Sequence, residues 1–237
     1  MPDGTKSILM VPAAGRRGPV TFPNPNMFII AMLSLVFATT PVPVGAQAGA
    51  VKDKTRVQAP PLQAPAPTPA PGNPVAVIST SMGDITVELF KDKAPVSVQN
   101  FLQYVNEGFY AGTIFHRVKP RFVIQGGGYT PEMAERGTRP PILNEATNGL
   151  KNTRGTLAMA RTRALRSATS QFFINVVNNS DFDHKSYAPD EFGYAVFGRV
   201  LSGMEVVDQI STTPTGSKDG HDDVPLTPVI IKGVTVK

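Results

Sequence analysis

The chain has 237 residues, enough for one large or two small domains, and its 23 prolines are clustered rather than evenly spread. The net charge of +5 arises from 23 basic and 18 acidic residues without an extended run of lysine or arginine, so no nucleic-acid surface is indicated. There is no cysteine, which excludes a disulfide framework, zinc–thiolate sites and thiol nucleophiles.

Residues 1–48 predict an export signal. After a polar and basic start, residues 27–38 (MFIIAMLSLVFA) form an apolar run interrupted by a single serine. A membrane-spanning helix needs about 20 apolar residues, so this run is short for a permanent span and has the length of a signal-peptide core. The small residues Ala46 and Ala48, which flank Gln47, suit a cleavage site, and we expect cleavage after Ala48. The alternatives are an uncleaved membrane anchor through residues 27–38 and a misassigned start upstream of Met27.

Residues 49–74 predict a linker. Seven of the prolines fall between residues 60 and 74, where they are interleaved with alanine. This composition cannot bury a hydrophobic core and favours an extended polyproline spacer. A ligand for a proline-binding domain is the alternative interpretation of the same stretch.

From Val75 onward the sequence has the pattern of short strands. Alternating apolar residues over 75–80 and 85–89 surround a turn and predict a β-hairpin. A helix is predicted next, because Pro95 stands near its start, apolar residues follow at helical spacing, and Gly108 stands just past its end.

A second hairpin carries residues that can do chemistry. Strands are predicted over 113–118 and 122–125, with a tight turn between them and a glycine run after the second. Arg117 and Gln125 are fork-shaped hydrogen-bonding groups beside the apolar pair at 122–123. Such an arrangement suits a substrate with a polar but uncharged reacting group and an apolar ring, and proline in a peptide is such a group.

The remaining pattern predicts further strands and one more helix. Strands are predicted at 156–160, 170–176 and 194–201, the helix at 204–210, and a closing strand at 229–236. Many short strands with two helices, all after Val75, indicate one closed barrel with capped ends. The folded domain of the chain is therefore expected to span residues 75–237.

Three blocks of this domain resemble the cyclophilin-type peptidyl-prolyl cis-trans isomerases. They are FHRVKPRFVIQGG at 115–127, SQFFIN at 170–175 and FGYAVFG at 192–198. The stretch 151–161 is most similar to the bacterial periplasmic members. The resemblance implies an all-β fold, a closed eight-stranded antiparallel barrel capped by two short α-helices. It also implies an enzyme that uses no cofactor and isomerises X-Pro bonds in polypeptides. From the resemblance together with the predicted export signal, we expect a monomer that is periplasmic or otherwise exported and assists the folding of exported polypeptides.

Isomerisation of an X-Pro bond needs a binding site rather than a nucleophile, a base or a metal. Rotation breaks the amide resonance, at a barrier of about 18–20 kcal/mol, and the proline nitrogen of the twisted state regains a lone pair. A permanently charged donor aimed at that nitrogen stabilises only the twisted state. We expect Arg117 to be this donor and Gln125 to hold a substrate carbonyl. Taken alone, Arg117 also fits a solvated surface charge.

The resemblance implies six further residues that bind the substrate. They are Phe122, Val123, Ala160, Phe173, Phe182 and Tyr194. The family usually has methionine at the position of Val123, so the pocket should be slightly wider there. It usually has an aromatic residue followed by leucine where this chain has Asp181 and Phe182, and the loss of that first aromatic residue predicts weak cyclosporin binding.

Other polar residues are expected to lie outside the chemistry. We expect His116 to make a structural hydrogen bond, and His221 with its neighbouring aspartates to form an acidic turn rather than a metal site. Arg161, Arg163 and Arg166 predict a preference for acidic substrate residues two positions before proline. The alternative function for the whole domain is a chaperone or peptide-binding scaffold with little catalytic turnover.

Overall fold

The computed structural model describes residues 67–237, so the predicted signal and most of the predicted linker lie outside the described residues. Within residues 67–237, no helix is both long and apolar enough to cross a membrane. The strands in this part of the chain are β1 (Val75–Thr80), β2 (Gly83–Leu89), β3 (Thr113–Ile114), β4 (Arg117–Lys119), β5 (Val123–Gly126), β6 (Thr156–Met159), β7 (Phe172–Asn175), β8 (Val196–Ser202), β9 (Thr215–Lys218), β10 (His221–Pro225) and β11 (Ile230–Val236). The two α-helices are α1 (Pro95–Asn106) and α2 (Met204–Ser211).

Nine of these strands form one antiparallel sheet that closes on itself. Their order is β3-β11-β1-β2-β8-β6-β7-β5-β4, so β3 and β4 are the two edges. These edge strands follow each other in the chain with only Phe115 and His116 between them, and one continuous segment therefore joins the two edges. Counted as one position, β3 and β4 make an eight-stranded barrel. The predicted all-β barrel with two helices is confirmed.

The single strand predicted over 113–118 is broken in the structure, and the closure of the barrel explains the break. Its first half, β3, pairs with β11, whereas its second half, β4, pairs with β5. The chain has to leave one neighbour before it reaches the other, so Phe115 and His116 belong to neither ladder.

The β9–β10 hairpin was not predicted from the sequence. It is a separate two-stranded sheet with an irregular register between His221 and Val224. Its strands read TGSK and HDDVP, which lack the alternating apolar residues that mark a half-buried strand. It packs beside β4 and contributes residues to the site described below.

The barrel interior is filled by aromatic and branched side chains. Phe101 of α1 enters it, with its ring centroid 5.1 Å from Tyr110, 5.6 Å from Phe172 and 5.5 Å from Phe197. All four rings are at most 1 % exposed. The helix thus closes one end of the barrel by burying an apolar stripe in it.

A second, smaller apolar cluster lies apart from this interior. Its buried members are Val123, Ala158, Phe173 and Val196. On β7, Phe172 belongs to the interior and the next residue, Phe173, to this second cluster, as the alternation of side chains along a strand requires. The second cluster is the floor of the candidate site.

The end of the predicted linker is tied to the barrel by a buried carboxylate. Glu88 on β2 is fully buried and accepts hydrogen bonds from the Ala70 backbone N–H at 2.7 Å, Asn73 Nδ2 at 2.8 Å and Arg199 Nε at 2.8 Å. Burial by itself raises the pKa of Glu88, but these donors outweigh it and hold the pKa below its ordinary value of 4.5.

Glu88 is therefore expected to make the fold sensitive to acid. Because its pKa is lower in the folded state, its contribution to the free energy of unfolding is present above about pH 4.5 and is lost as the pH falls further, where the unfolded chain binds the proton first. Glu88→Gln should lower the free energy of unfolding at pH 7 by about 1–3 kcal/mol and flatten its acid dependence. Urea denaturation between pH 3 and 7 measures both. Equal effects in the exposed control Glu205→Gln would contradict this account.

Candidate active site

One row of residues runs across the strands beneath the site. Arg117 on β4 lies opposite Gln125 on β5, Gln125 lies opposite Phe173 on β7, and Phe173 lies opposite Ala158 on β6. Residues directly opposite each other on antiparallel strands project to the same face of the sheet. Strand pairing alone therefore places the charged Arg117 at one end of the row and the apolar Phe173 and Ala158 at the other.

A cavity of about 270 Å³ lies over this row. It is lined by Arg117, Val123, Gln125, Ala160, Arg161, Phe173, Phe182 and Tyr194. Seven of these are among the eight predicted site residues. The eighth, Phe122, borders the same cluster, with its ring centroid 5.1 Å from that of Phe182. The structure therefore brings all eight predicted residues together.

Three aromatic rings form the apolar wall of this cavity, which we call the proline pocket after the ring that the sequence predicts it to bind. The Phe173 centroid lies 5.5 Å from both Phe182 and Tyr194, with interplanar angles of 66° and 79°. Phe182 and Tyr194 are 4.7 Å apart. The two edge-to-face contacts of Phe173 have a geometry that aromatic pairs prefer, so they stabilise this arrangement of the wall. An apolar ring of the size of proline can pack against these three rings without removing water from polar groups of the protein.

Arg117 supplies a charge at the polar edge of the proline pocket. Its side chain is 39 % exposed, and its Nε lies 3.7 Å from Asp223 Oδ2 of β10. Asp223 has a left-handed backbone conformation, with φ of 61°, which is uncommon for residues other than glycine. The carboxylate beside Arg117 was missed at the sequence level, because it comes from the hairpin that lacks an apolar pattern.

Gln125 is held by a second glutamine. Its Nε2 donates a hydrogen bond to Gln171 Oε1 at 3.0 Å. Gln171 precedes β7 and lies within the SQFFIN block, so the block carried a signal for this residue, but its partner could be identified only from the pairing of β5 with β7. The hydrogen bond fixes one end of the Gln125 amide and leaves its oxygen and one N–H for other partners.

A larger cavity of about 440 Å³ continues from Arg117 and Gln125 away from the proline pocket. Its lining includes His116, Tyr129 and His221. The ring centroids of His116 and Tyr129 are 4.6 Å apart, and those of Tyr129 and His221 are 5.0 Å apart. Burial, together with repulsion from the nearby His221 and Arg117, lowers the pKa of His116 to about 4. His116 is therefore neutral at neutral pH, and it is only 4 % exposed.

This buried histidine predicts a second acid-sensitive step in stability. As the pH falls from 6.5 towards 4, the unfolded chain binds a proton at His116 that the folded chain does not bind. The free energy of unfolding should fall by up to about 3 kcal/mol over this range, at about 1.36 kcal/mol per pKa unit. His116→Gln should remove most of that slope in urea denaturation, whereas the half-buried His184→Gln should keep it. An unchanged slope in His116→Gln would contradict the prediction.

The structure gives no metal-binding cluster in the part of the chain that it describes, residues 67–237. In the turn predicted from the acidic residues, Asp222 accepts a hydrogen bond from the Ser217 hydroxyl at 2.6 Å across the β9–β10 hairpin. Asp223 faces Arg117 instead. These two aspartates of the hairpin thus have protein partners.

Two of the three arginines in the loop between β6 and β7 bind other parts of the protein. Arg161 donates to the carbonyls of Gly193 at 2.9 Å and Pro189 at 3.0 Å. Arg163 pairs with the Asp190 carboxylate. Both arginines therefore connect their loop to the segment between β7 and β8.

Arg161 also contributes to the rim of the proline pocket. Its guanidinium lies 5.0 Å from the Tyr194 centroid, so it braces that ring. A third cavity, of about 240 Å³, is lined by both Arg161 and Glu135. The expected preference for acidic residues two positions before proline stays a prediction. Glu135 argues against it, because its negative charge would repel an acidic substrate residue in this cavity.

Comparisons with known proteins identify the family. The family model "Cyclophilin type peptidyl-prolyl cis-trans isomerase/CLD" matches residues 75–236. Peptidyl-prolyl cis-trans isomerase B of Escherichia coli is 56% identical over 157 residues, which cover 66% of this chain and 96% of that protein. Peptidyl-prolyl cis-trans isomerase A of Dickeya dadantii is 52% identical over 160 residues, covering 68% of this chain and 83% of that protein.

A solved structure agrees with these relatives. The cyclophilin-type peptidyl-prolyl cis-trans isomerase of Cryptosporidium parvum superposes with a TM-score of 0.60 at 28% identity, covering 70% of this chain and 98% of that one. A second structure of that protein was determined in the presence of the dipeptide Ala-Pro. The chain described here therefore belongs to the cyclophilin-type peptidyl-prolyl cis-trans isomerases, and its activity is the isomerisation of peptide bonds that precede proline.

Proposed function

We propose that Arg117, Gln125 and the proline pocket form the catalytic centre, and that the protein acts on exported, unfolded polypeptides to assist their folding. One observation carries the assignment of the centre: the permanently charged and partly exposed side chain of Arg117 stands at the edge of a pocket whose other lining residues, apart from Gln125 and Arg161, are aromatic or aliphatic. A charge beside an apolar pocket fits a proline amide better than it fits a charged or a fully apolar ligand.

The mechanism follows from what changes as the amide twists. The planar amide nitrogen has no available lone pair, so a guanidinium gains little from it. In the twisted state the nitrogen becomes pyramidal, and the Arg117 guanidinium can donate to its lone pair. The proline ring stays against Phe173 while Gln125 holds a carbonyl on the substrate backbone, so that one side of the bond is fixed and the other rotates. No covalent bond forms and no proton is transferred.

Two small side chains adapt the pocket to a peptide. Ala160 lines both the proline pocket and the third cavity, where a larger side chain would obstruct an extended backbone. Val123 is buried in the pocket floor. Asp181, whose side chain is 93 % exposed and paired with Lys185, adds no ring to the wall, which supports the proposal of weak cyclosporin binding. We also propose a monomer.

Export is the part of the proposal that rests on sequence alone. The signal-like residues 1–48 suit a periplasmic or otherwise exported protein. Mass spectrometry of the chain purified from its own host tests this. A mature N-terminus at Gly49 would support cleavage after Ala48, whereas an intact residue 27–38 segment in the membrane fraction would support the membrane-anchored alternative.

The proposed role in folding is tested by refolding a protein whose slow phase is limited by a cis-proline. Uncatalysed proline isomerisation takes about 10–100 s at 25 °C, which makes the phase easy to follow. We expect catalytic amounts of the protein to shorten it. The alternative is a scaffold that binds peptides with little turnover, and it is left open by Val123 and Asp181, where this chain differs from the usual family residues. It predicts no acceleration, and an effect only when the protein is present in amounts equal to the refolding protein.

A further inference from the structure

Three buried asparagines lie behind the proline pocket. Asn175 at the end of β7 is 0% exposed, Asn152 in the loop before β6 is 1% exposed, and Asn179 in the loop after β7 is 8% exposed. Buried amides are costly unless they are hydrogen-bonded, so their partners account for their position. We call them the asparagine chain.

Their side chains are hydrogen-bonded to one another in series. Asn179 Nδ2 donates to Asn175 Oδ1 at 2.7 Å, and Asn175 Nδ2 donates to Asn152 Oδ1 at 3.2 Å. Asn175 Nδ2 also donates to the Thr156 hydroxyl at 2.9 Å, which attaches the middle of the asparagine chain to β6. The series is therefore fixed to two strands of the barrel.

Both ends of the asparagine chain reach the backbone of the aromatic pocket residues. At one end, Asn179 Nδ2 donates to the Phe122 carbonyl at 3.2 Å. At the other end, Asn152 Nδ2 donates to the carbonyls of Phe182 at 3.0 Å and Tyr194 at 3.3 Å. The amides thus connect the backbone beneath Phe122 with the backbone beneath the rings on the other side.

The segment that carries Phe182 is held in part by these bonds. Residues 176–195 lie between β7 and β8 and contribute no strand to the barrel, and Phe182 ends a short 3-10 turn (Ser180–Phe182). Asn179 stands at the start of that turn but its side chain does not cap it, because both of its side-chain contacts run towards β7 and Phe122. The backbone N–H of Asn179 donates to the Asn152 carbonyl at 2.8 Å, which ties the same two loops together.

We infer that Asn152, Asn175 and Asn179 are positioning residues for catalysis, because they set the separation between Phe122 and the Phe182–Tyr194 side of the proline pocket. The inference rests on the proposed role of that pocket. None of the three side chains lines it, so they act through the aromatic residues whose carbonyls they hold. Small displacements of binding groups are costly to catalysis, with about 1 Å able to cost about 100-fold.

Asn179→Ala tests the inference most cleanly, since Asn179 lies nearest the surface of the three. We expect kcat/KM for a short X-Pro peptide to fall about 5- to 20-fold, chiefly through a higher KM, and peptide affinity to fall in parallel. Asn152→Ala is the second variant and should behave alike. Asn100→Ala is the matched control: Asn100 is a buried asparagine of α1 that donates one hydrogen bond, at 2.6 Å, to the Thr169 carbonyl. It should lower stability without changing KM.

Double variants separate positioning from general destabilisation. If Asn179 acts through Phe122, then adding Asn179→Ala to Phe122→Ala should cost little further activity, whereas independent effects would multiply. Multiplying effects, an unchanged KM in Asn179→Ala, or an equal loss in Asn100→Ala would each overturn the inference while leaving the proposed function intact. If the wild-type protein bound the peptide without accelerating isomerisation, the proposed catalytic centre would fall, and the affinities of the same variants would still decide the inference.

Discussion

Replacing Arg117 with alanine should lower kcat/KM for X-Pro isomerisation by about 100- to 1,000-fold, while the affinity for the peptide changes by no more than about threefold. The reason is that the guanidinium is proposed to contribute in the twisted state and hardly at all in the planar ground states. Removing one donor that acts only in the transition state costs about 2.7–4 kcal/mol in other enzymes. An interaction of that kind appears in kcat rather than in KM.

Two further arginine variants make the result specific. Arg117→Lys keeps the charge but loses the planar fork, so its activity should lie between wild type and Arg117→Ala. Arg139→Ala is the matched control, because Arg139 is 44% exposed and paired with Glu107 just after α1, much as Arg117 is 39% exposed and paired with Asp223. Its activity should match wild type. Wild-type kcat in Arg117→Ala would show that the guanidinium is a surface charge.

Phe173→Leu should weaken the binding of proline peptides and reduce kcat/KM by about 10-fold or more. Phe173 is 3 % exposed, and its ring contacts those of both Phe182 and Tyr194 in the pocket wall. A leucine keeps most of the buried volume, so the cost in stability should be about 1–2 kcal/mol. The loss should fall mainly on KM, because the ring binds the planar and the twisted substrate alike.

The neighbouring residue offers the control for this change. Phe172→Leu removes the same atoms from the same strand, but its ring faces the barrel interior, 5.6 Å from those of Phe101 and Tyr110. We expect a similar loss in the free energy of unfolding with KM unchanged at temperatures where both variants are folded. If both variants raised KM equally, the effect would come from the barrel as a whole and not from the pocket.

The barrel could be predicted from the sequence because its strands are amphipathic and show their alternating pattern within a short stretch of residues. The elements from Val75 to Val236 follow alternating or helical spacing, and a single barrel accommodates their number. The β9–β10 hairpin could not be predicted, since its polar residues pack against β4 rather than on the core. The break after Ile114 was likewise hidden, because it results from closure of the sheet and not from a breaker residue.

In the candidate site, too, some contacts could be predicted from local sequence and others could not. Arg117 and Gln125 stand on two strands of one short hairpin, so their proximity followed from local sequence. Asp223 reaches Arg117 from a hairpin far along the chain, and Asn152 meets the carbonyl of Phe182 across 30 positions. Side chains that meet only through distant strand pairing leave no local pattern, which is why the supporting residues were missed and the central ones were not.

The central claim is that this chain catalyses rotation about the X-Pro bond at the Arg117 edge of the proline pocket. NMR exchange spectroscopy on a short X-Pro peptide tests it most directly, because cis and trans signals report both binding and interconversion in one sample. With catalytic amounts of the wild-type protein we predict exchange far faster than the uncatalysed rate, and with Arg117→Ala binding without most of that acceleration. Peptide binding by the wild type with exchange left at the uncatalysed rate would contradict the claim and establish a peptide-binding scaffold instead.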